Sequence, residues 1–174
     1  GEIMPKLNNT NSQTLCDFSD FKEEVEMSPE YAYEQLTGEY KENITEEEAL
    51  DIVCKEFELI DGIYSRKIPI NALQNSWAMV SIDNLKHVVL KRSDARERFS
   101  KLAHFTLLNP FEVWEVKYSD GSFRLVFIGI FRNSKNHILL ILKIDINNNI
   151  MWNFMQCELK KLNKHRLGKL LFKK

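Results

Sequence analysis

"EVWEVKYSDGSFRLVFIGIFRNSKNHILLILKIDINNNIMWNFMQ", Glu112 to Gln156, decides the fold, because it sets four apolar runs between three polar breaks. The breaks "SDGS", "NSKN" and "DINNN" are built from residues that tolerate tight turns. The runs between them are short and rich in β-branched and aromatic side chains, which predicts four strands joined as an antiparallel meander. Gly129 inside the second run predicts a bulge or a close approach by another part of the chain.

Upstream of the meander, "ARERFSKLAHFTLL" has Asp94 before it as a cap and Asn109-Pro110 after it as a stop. Ala95, Phe99, Leu102, Ala103 and Thr106 form its inward stripe, with Arg96, Arg98 and Lys101 pointing elsewhere. "WAMVSI" and "LKHVVLK" read as two strand-like runs, His87 standing near the start of the second, and "IYSRKIPINALQNS" reads as a connection. "TEEEALDIVCKEFELIDG" is a second helix: Thr45 and Glu48 make a capping box, and Ala49, Ile52, Val53, Glu56, Phe57 and Ile60 share one nearly apolar face. A shorter helix is predicted over "SPEYAYEQLTGEY", between Ser28-Pro29 and Gly38, and residues 1 to 16 read as a loose arm. The tail "CELKKLNKHRLGKLLFKK" is basic and amphipathic. Helices first and an antiparallel sheet after them give an α+β fold class.

Charge divides the chain more sharply than hydropathy does. Asp17 to Asp61 holds 16 Asp and Glu against 3 Lys and Arg, whereas Gly62 to Lys174 holds 8 against 20. The expected organisation is an acidic helical segment, 1–64, ahead of a basic domain, 65–174. A basic domain is suited to nucleic acid, since Lys and Arg gain by replacing the counterions around phosphates. The acidic segment is then a candidate mask for the basic face. No apolar stretch approaches the length of a membrane span. Cys16, Cys54 and Cys157 are too few and too scattered for a disulfide framework or a zinc site, which suits a reducing, cytoplasmic compartment.

The chain lacks a phosphate-binding loop, GxGxxG, GxSxG and HExxH. His87, His104, His137 and His165 are scattered, so no metal or other cofactor is expected. Histidine, arginine, lysine and asparagine in a basic sheet domain suffice for RNA cleavage without a metal. One group takes the 2′-hydroxyl proton, the oxygen attacks phosphorus, an acid protonates the departing 5′-oxygen, and cations stabilise the transition state. Trp114 and Trp152 offer stacking faces for bases, although each stands in an apolar strand.

"KHVVLKR", a charged helix, "LLNPFEVWEV", "FRLVFIGIFR", "ILLILKI" and "LNKHRLGKLL" together resemble the phage-associated nuclease branch of the barnase, EndoU, colicin and RelE (BECR) superfamily, over roughly residues 77 to 172. The resemblance implies a small metal-independent endoribonuclease of toxin or phage-effector type, with helices before a four-stranded sheet, found in bacteria and restrained by an immunity or antitoxin protein. It places His87 as proton-transfer residue and Arg166, with Asn163, at the phosphate. Arg124 and Arg132 stand where such domains often carry a basic residue. Lys91, Arg92, Asn153, Lys161 and Lys164 complete the expected substrate contacts. Relatives often carry Ser or Thr where this chain reads "MWNFM", so Asn153 replaces a hydroxyl. That departure opens the alternative of a module on the same fold that binds RNA or protein and does not cut.

Overall fold

The computed structural model describes residues 22–28, 44–90, 94–132, 134–145 and 149–174. Its elements are α1 (Lys22–Glu26), α2 (Glu46–Glu56), β1 (Ser65–Pro69), β2 (Trp77–Ser81), α3 (Ile82–Val89), a 3₁₀ turn (Arg96–Phe99) running into α4 (Ser100–Leu108), β3 (Glu112–Lys117), β4 (Phe123–Gly129), β5 (His137–Ile144), β6 (Asn149–Cys157), α5 (Leu159–Leu162) with a further 3₁₀ turn (Asn163–His165), and β7 (Lys169–Lys173). The expected helix over "SPEYAYEQLTGEY" beyond Ser28, the arm 1–16, Lys91 and Arg92 lie outside the described residues.

The predicted meander is the centre of the sheet, β3, β4, β5 and β6 pairing antiparallel in turn. The four-stranded expectation is nevertheless too small. The sheet has seven strands in the order β1-β2-β6-β5-β4-β3-β7 and is mixed. β7, drawn from the basic tail, pairs antiparallel with β3, and the β1–β2 hairpin joins the other end through a parallel contact between β2 and β6.

Three local expectations are corrected. Leu85 to Val89 of "LKHVVLK" is helical, not extended: the Ser81 hydroxyl accepts from the Asn84 N–H at 3.2 Å, and Leu85, Val88 and Val89 are buried on one side of α3. A serine cap and a 3.6-residue stripe outweigh the β preference of two adjacent valines. "SRKIP", expected to be a connection, is the edge strand β1, where Pro69 does little harm because an outer edge needs no N–H there. Asp94 does not cap the charged helix; it pairs with Arg96, and Arg96 is buried instead of pointing outward.

α2 starts as predicted, with Thr45 and Glu48 satisfying each other's backbone N–H groups. It ends near Phe57, where Arg66 of β1 donates to the Phe57 carbonyl and pairs with Glu58. Ala49, Val53 and Phe57 enter the same core as Leu85 of α3, Leu102 of α4 and Leu125, Phe127, Leu140 and Phe154 of the sheet. Each fully buried Val or Phe there contributes about 2 kcal/mol. The opposite face carries Trp114, Val126, Ile128, Leu139 and Ile141 and is covered by Leu162, Leu167 and Leu170 of the tail. Gly129 marks a close approach, as expected, but with no bulge between β4 and β5: a Cβ there would collide with the Thr106 side chain of α4. Among the described residues no helix is long and apolar enough to cross a membrane.

Candidate functional site

The two sequence steps that carry the resemblance, "NPFEVW" and "NKHRLG", meet in one buried cluster. Arg166 of the tail donates from Nε to Glu112 Oε1 at 2.7 Å and from Nη2 to Glu112 Oε2 at 2.9 Å, and both side chains are 0% exposed. Its Nη1 donates to Asn163 Oδ1 at 3.1 Å, and the Trp114 indole donates to Glu112 Oε1 at 2.9 Å. A charge this deep needs both its counter-ion and its hydrogen bonds, and here it has both. Gly168 completes the arrangement: its φ is +85°, and a Cβ would strike the Glu115 carbonyl oxygen of β3. Arg166 and Asn163 are thus together, with the guanidinium closed to solvent and Asn163 half-buried.

A second group of side chains gathers on Trp152. In the β5–β6 pairing, Ile141 registers with Asn153 and Leu142 with Met151, so Trp152 is the extra residue of a β-bulge. Bulges re-aim side chains and are common beside active sites. The half-buried indole is stacked by the exposed imidazole of His87, with ring centroids 6.1 Å apart and planes inclined by 21°. The Arg124 guanidinium carbon lies 5.8 Å and Lys143 Nζ 5.4 Å from the same ring centre. Arg124 also lies 5.0 Å from the centre of the Tyr118 ring and donates to the Ser122 hydroxyl, which donates to Asp120.

Arg124 and Lys143 are direct cross-strand partners in β4 and β5. Like charges so placed repel each other. Among the described residues no carboxylate stands within ion-pair distance of either, and the aromatic faces of Trp152 and Tyr118 offset only part of the cost. Burial pushes the Tyr118 hydroxyl above its ordinary pKa, with the Arg124 charge acting the other way. The result is an aromatic plate beside two cations and one imidazole, an arrangement that suits a phosphate next to a stacked base.

The chain belongs to a nuclease family. Residues 63–173 match the family described as phage-Barnase-EndoU-ColicinE5/D-RelE like nuclease2. No curated protein and no solved structure matches the chain.

Of the residues expected to carry this nuclease family's chemistry, the fold brings His87 and Arg124 to the same ring, with Asn153 next to it in β6. The Asn153 carboxamide oxygen accepts from Arg96 Nη1 at 2.7 Å. Arg132 is exposed just past β4, and Lys161 and Lys164 are exposed on the segment between β6 and β7. His104 contacts Glu56 at 3.1 Å across α4 and α2. His137 is 2% exposed, accepts the Phe131 N–H on Nδ1, and is pulled by burial to a pKa of about 4. His165 is lowered to about 4 by burial and the neighbouring Lys164. Burial raises the thiol pKa values of Cys54 and Cys157. Lys143 is the residue that sequence reading passes over. Its signal is parity, because in "HILLILKI" it falls on the same side as Leu139 and Ile141, and strand pairing then sets it against Arg124.

Proposed function

We propose that the chain is a metal-independent endoribonuclease that cleaves RNA by attack of a 2′-hydroxyl on the adjacent phosphate. The observation that carries this reading is the convergence of His87, Arg124 and Lys143 on Trp152. Imidazole is the side-chain group that exchanges protons near neutral pH. His87 takes the 2′-hydroxyl proton as the O2′–P bond forms, and the P–O5′ bond breaks as a proton from water reaches the 5′-oxygen. The products are a 2′,3′-cyclic phosphate and a 5′-hydroxyl. Lys143 holds the phosphate oxygens, Arg124, 3% exposed, adds its charge from beside the Trp152 ring, and Trp152 carries a neighbouring base. Arg166, committed to Glu112 and Asn163, acts on this site by fixing the tail against β3.

A second reading, an RNA-binding module that does not cut, draws on Asn153 and Arg166. The first replaces a hydroxyl and is engaged by Arg96, and the second has its charge matched by Glu112.

The test incubates the full chain with RNA and with DNA of matched length in excess EDTA, alongside His87→Ala. RNA cut to cyclic phosphate ends, DNA left intact, and a loss of about 10²-fold or more in His87→Ala support the ribonuclease. Abolition by EDTA overturns metal independence. RNA retained by the protein and left whole establishes the binding module instead.

A further inference from the structure

We propose that α2, the turn that follows it and the start of α3 form a docking surface for a basic amphipathic helix of a partner protein. A groove of about 450 Å³ lies there, with Leu50, Leu59 and Ile82 among its apolar walls and Glu47, Glu48 and Asp51 along it. That volume takes whole apolar side chains.

Apolar surface continues past the groove. Leu59 leads into a turn that carries Ile60, Ile63 and Tyr64; the two isoleucines are nearly half exposed and Tyr64 is 73% exposed. Large apolar side chains exposed singly are ordinary, but three in one turn beside an apolar groove mark an interaction surface. Their backbone is fixed. The Leu59 N–H donates to the Cys54 carbonyl at 2.8 Å and the Ile63 N–H to the Ile60 carbonyl at 3.0 Å, while the Ile82 N–H donates to the Tyr64 carbonyl at 3.0 Å and ties the turn to the groove wall. A surface ordered in advance loses little freedom when it binds.

Charge selects the occupant. Ile44 to Tyr64 holds seven Asp and Glu against one Lys. Lys55 of α2, Arg66 of β1 and Lys86 of α3 are each paired, with Asp51, Glu58 and Asp83 in turn, and among the described residues no cation pairs with Glu46, Glu47 or Asp61. Such a rim repels nucleic acid and anionic lipid. It also repels its own copy, because a two-fold contact would set the same carboxylates against each other. A helix whose apolar face is flanked by Lys or Arg matches both the groove and its rim.

The surface is separate from the candidate RNA site. Leu59 belongs to the core that α2, α3 and α4 share with one face of the sheet, and Leu50 and Ile82 pack on it, whereas Trp152 packs on the core of the opposite face. The family match begins at Ile63, so α2 and most of the turn stand outside the nuclease unit. A partner held here leaves the Trp152 cluster open.

The test titrates a synthetic helical peptide, with leucines at i, i+3, i+4 and i+7 and lysines elsewhere, into the full isotopically labelled chain and follows amide shifts by NMR. The same peptide with glutamates in place of lysines is run beside it, as are the variants Tyr64→Ser and Glu47→Lys, both at exposed positions. The lysine peptide is expected to bind at least about tenfold more tightly than the glutamate peptide, and each variant to weaken it about threefold or more. Shifts should fall on α2, Ile60 to Tyr64 and the start of α3, with Lys143 and Trp152 unmoved. Shifts centred elsewhere, equal binding of the two peptides, no binding, or an affinity unchanged in both variants overturns the surface. Dimerisation of the chain alone that Tyr64→Ser abolishes assigns the patch to a second copy and overturns the proposal equally.

Discussion

Arg166 and Arg124 are both nearly inaccessible, and their surroundings are opposite. Arg166 faces a carboxylate that matches it nitrogen for oxygen, with an indole and a carboxamide filling the remaining positions. Arg124 faces two aromatic rings, a serine and another cation. Arg166 is electrically complete within the protein, and its removal leaves Glu112 stranded. The Arg124 site sets one carboxylate, Asp120 beyond the Ser122 hydroxyl, against the two charges of Arg124 and Lys143, and the excess positive charge is a condition that an incoming anion relieves. A buried arginine is therefore a functional candidate only after its counter-ion has been looked for.

The largest effect that tests this contrast is on stability. Arg166→Ala leaves a fully buried Glu112 without its partner and is expected to cost about 3–5 kcal/mol, a fall of roughly 10 °C in the thermal midpoint for a chain of this size. Replacing Glu112 and Arg166 together by apolar residues should recover much of that loss. Normal stability in Arg166→Ala would break the distinction between the two arginines.

The next effect is acid sensitivity of the fold, read from thermal midpoints between pH 7.5 and 4.5. His137 and His165 are held near pKa 4 in the folded chain, against 6.5 when unfolded. The unfolded state therefore binds more protons below pH 6.5, and stability that is complete above 6.5 falls as the pH drops toward 4. His137, almost fully buried, accounts for on the order of 3 kcal/mol of this, and His137→Ala should be less stable at pH 7.5 with a flatter acid decline.

Smallest is the effect of Lys143→Gln. RNA affinity should fall a few-fold with no loss of stability, and the slope of log affinity against log salt should decrease by about 1. A gain in thermal stability from relieving the repulsion with Arg124 would sharpen the contrast further.

Much of the sheet was legible because its signals are local. The turns between β3, β4, β5 and β6 are spelled out in short polar stretches, and Thr45 with Glu48 announces α2. α3 was misread because Val88 and Val89 are β-formers, although Ser81 and Asn84 already contained its cap. The mixed sheet order was not legible at all: β2 meeting β6, and β7 meeting β3, depend on partners far along the chain. The site divided in the same way. His87, Arg124 and Asn153 stood out as residue types in a basic domain, whereas Lys143 and the role of Trp152 needed the cross-strand register and the bulge. The "NxxRxG" ending was conspicuous as a motif, but the carboxylate that balances its arginine lies on another strand.

The parallel junction between β2 and β6 bears on motion. Among the described residues only Ala78 and Met79 register with Asn149 and Ile150, while β5 and β6 register along their length from His137 to Ile144. Regions joined by few backbone hydrogen bonds open at lower free energy than the body they adjoin. The β1–β2 hairpin is such a region, and its amide protons should exchange with solvent well before those of Phe127 or Leu140. α3 follows directly from β2 but is anchored in the main core by Leu85, Val88 and Val89, each 0% exposed, so the hairpin breathes against a helix that keeps His87 on Trp152 beside Arg124 and Lys143.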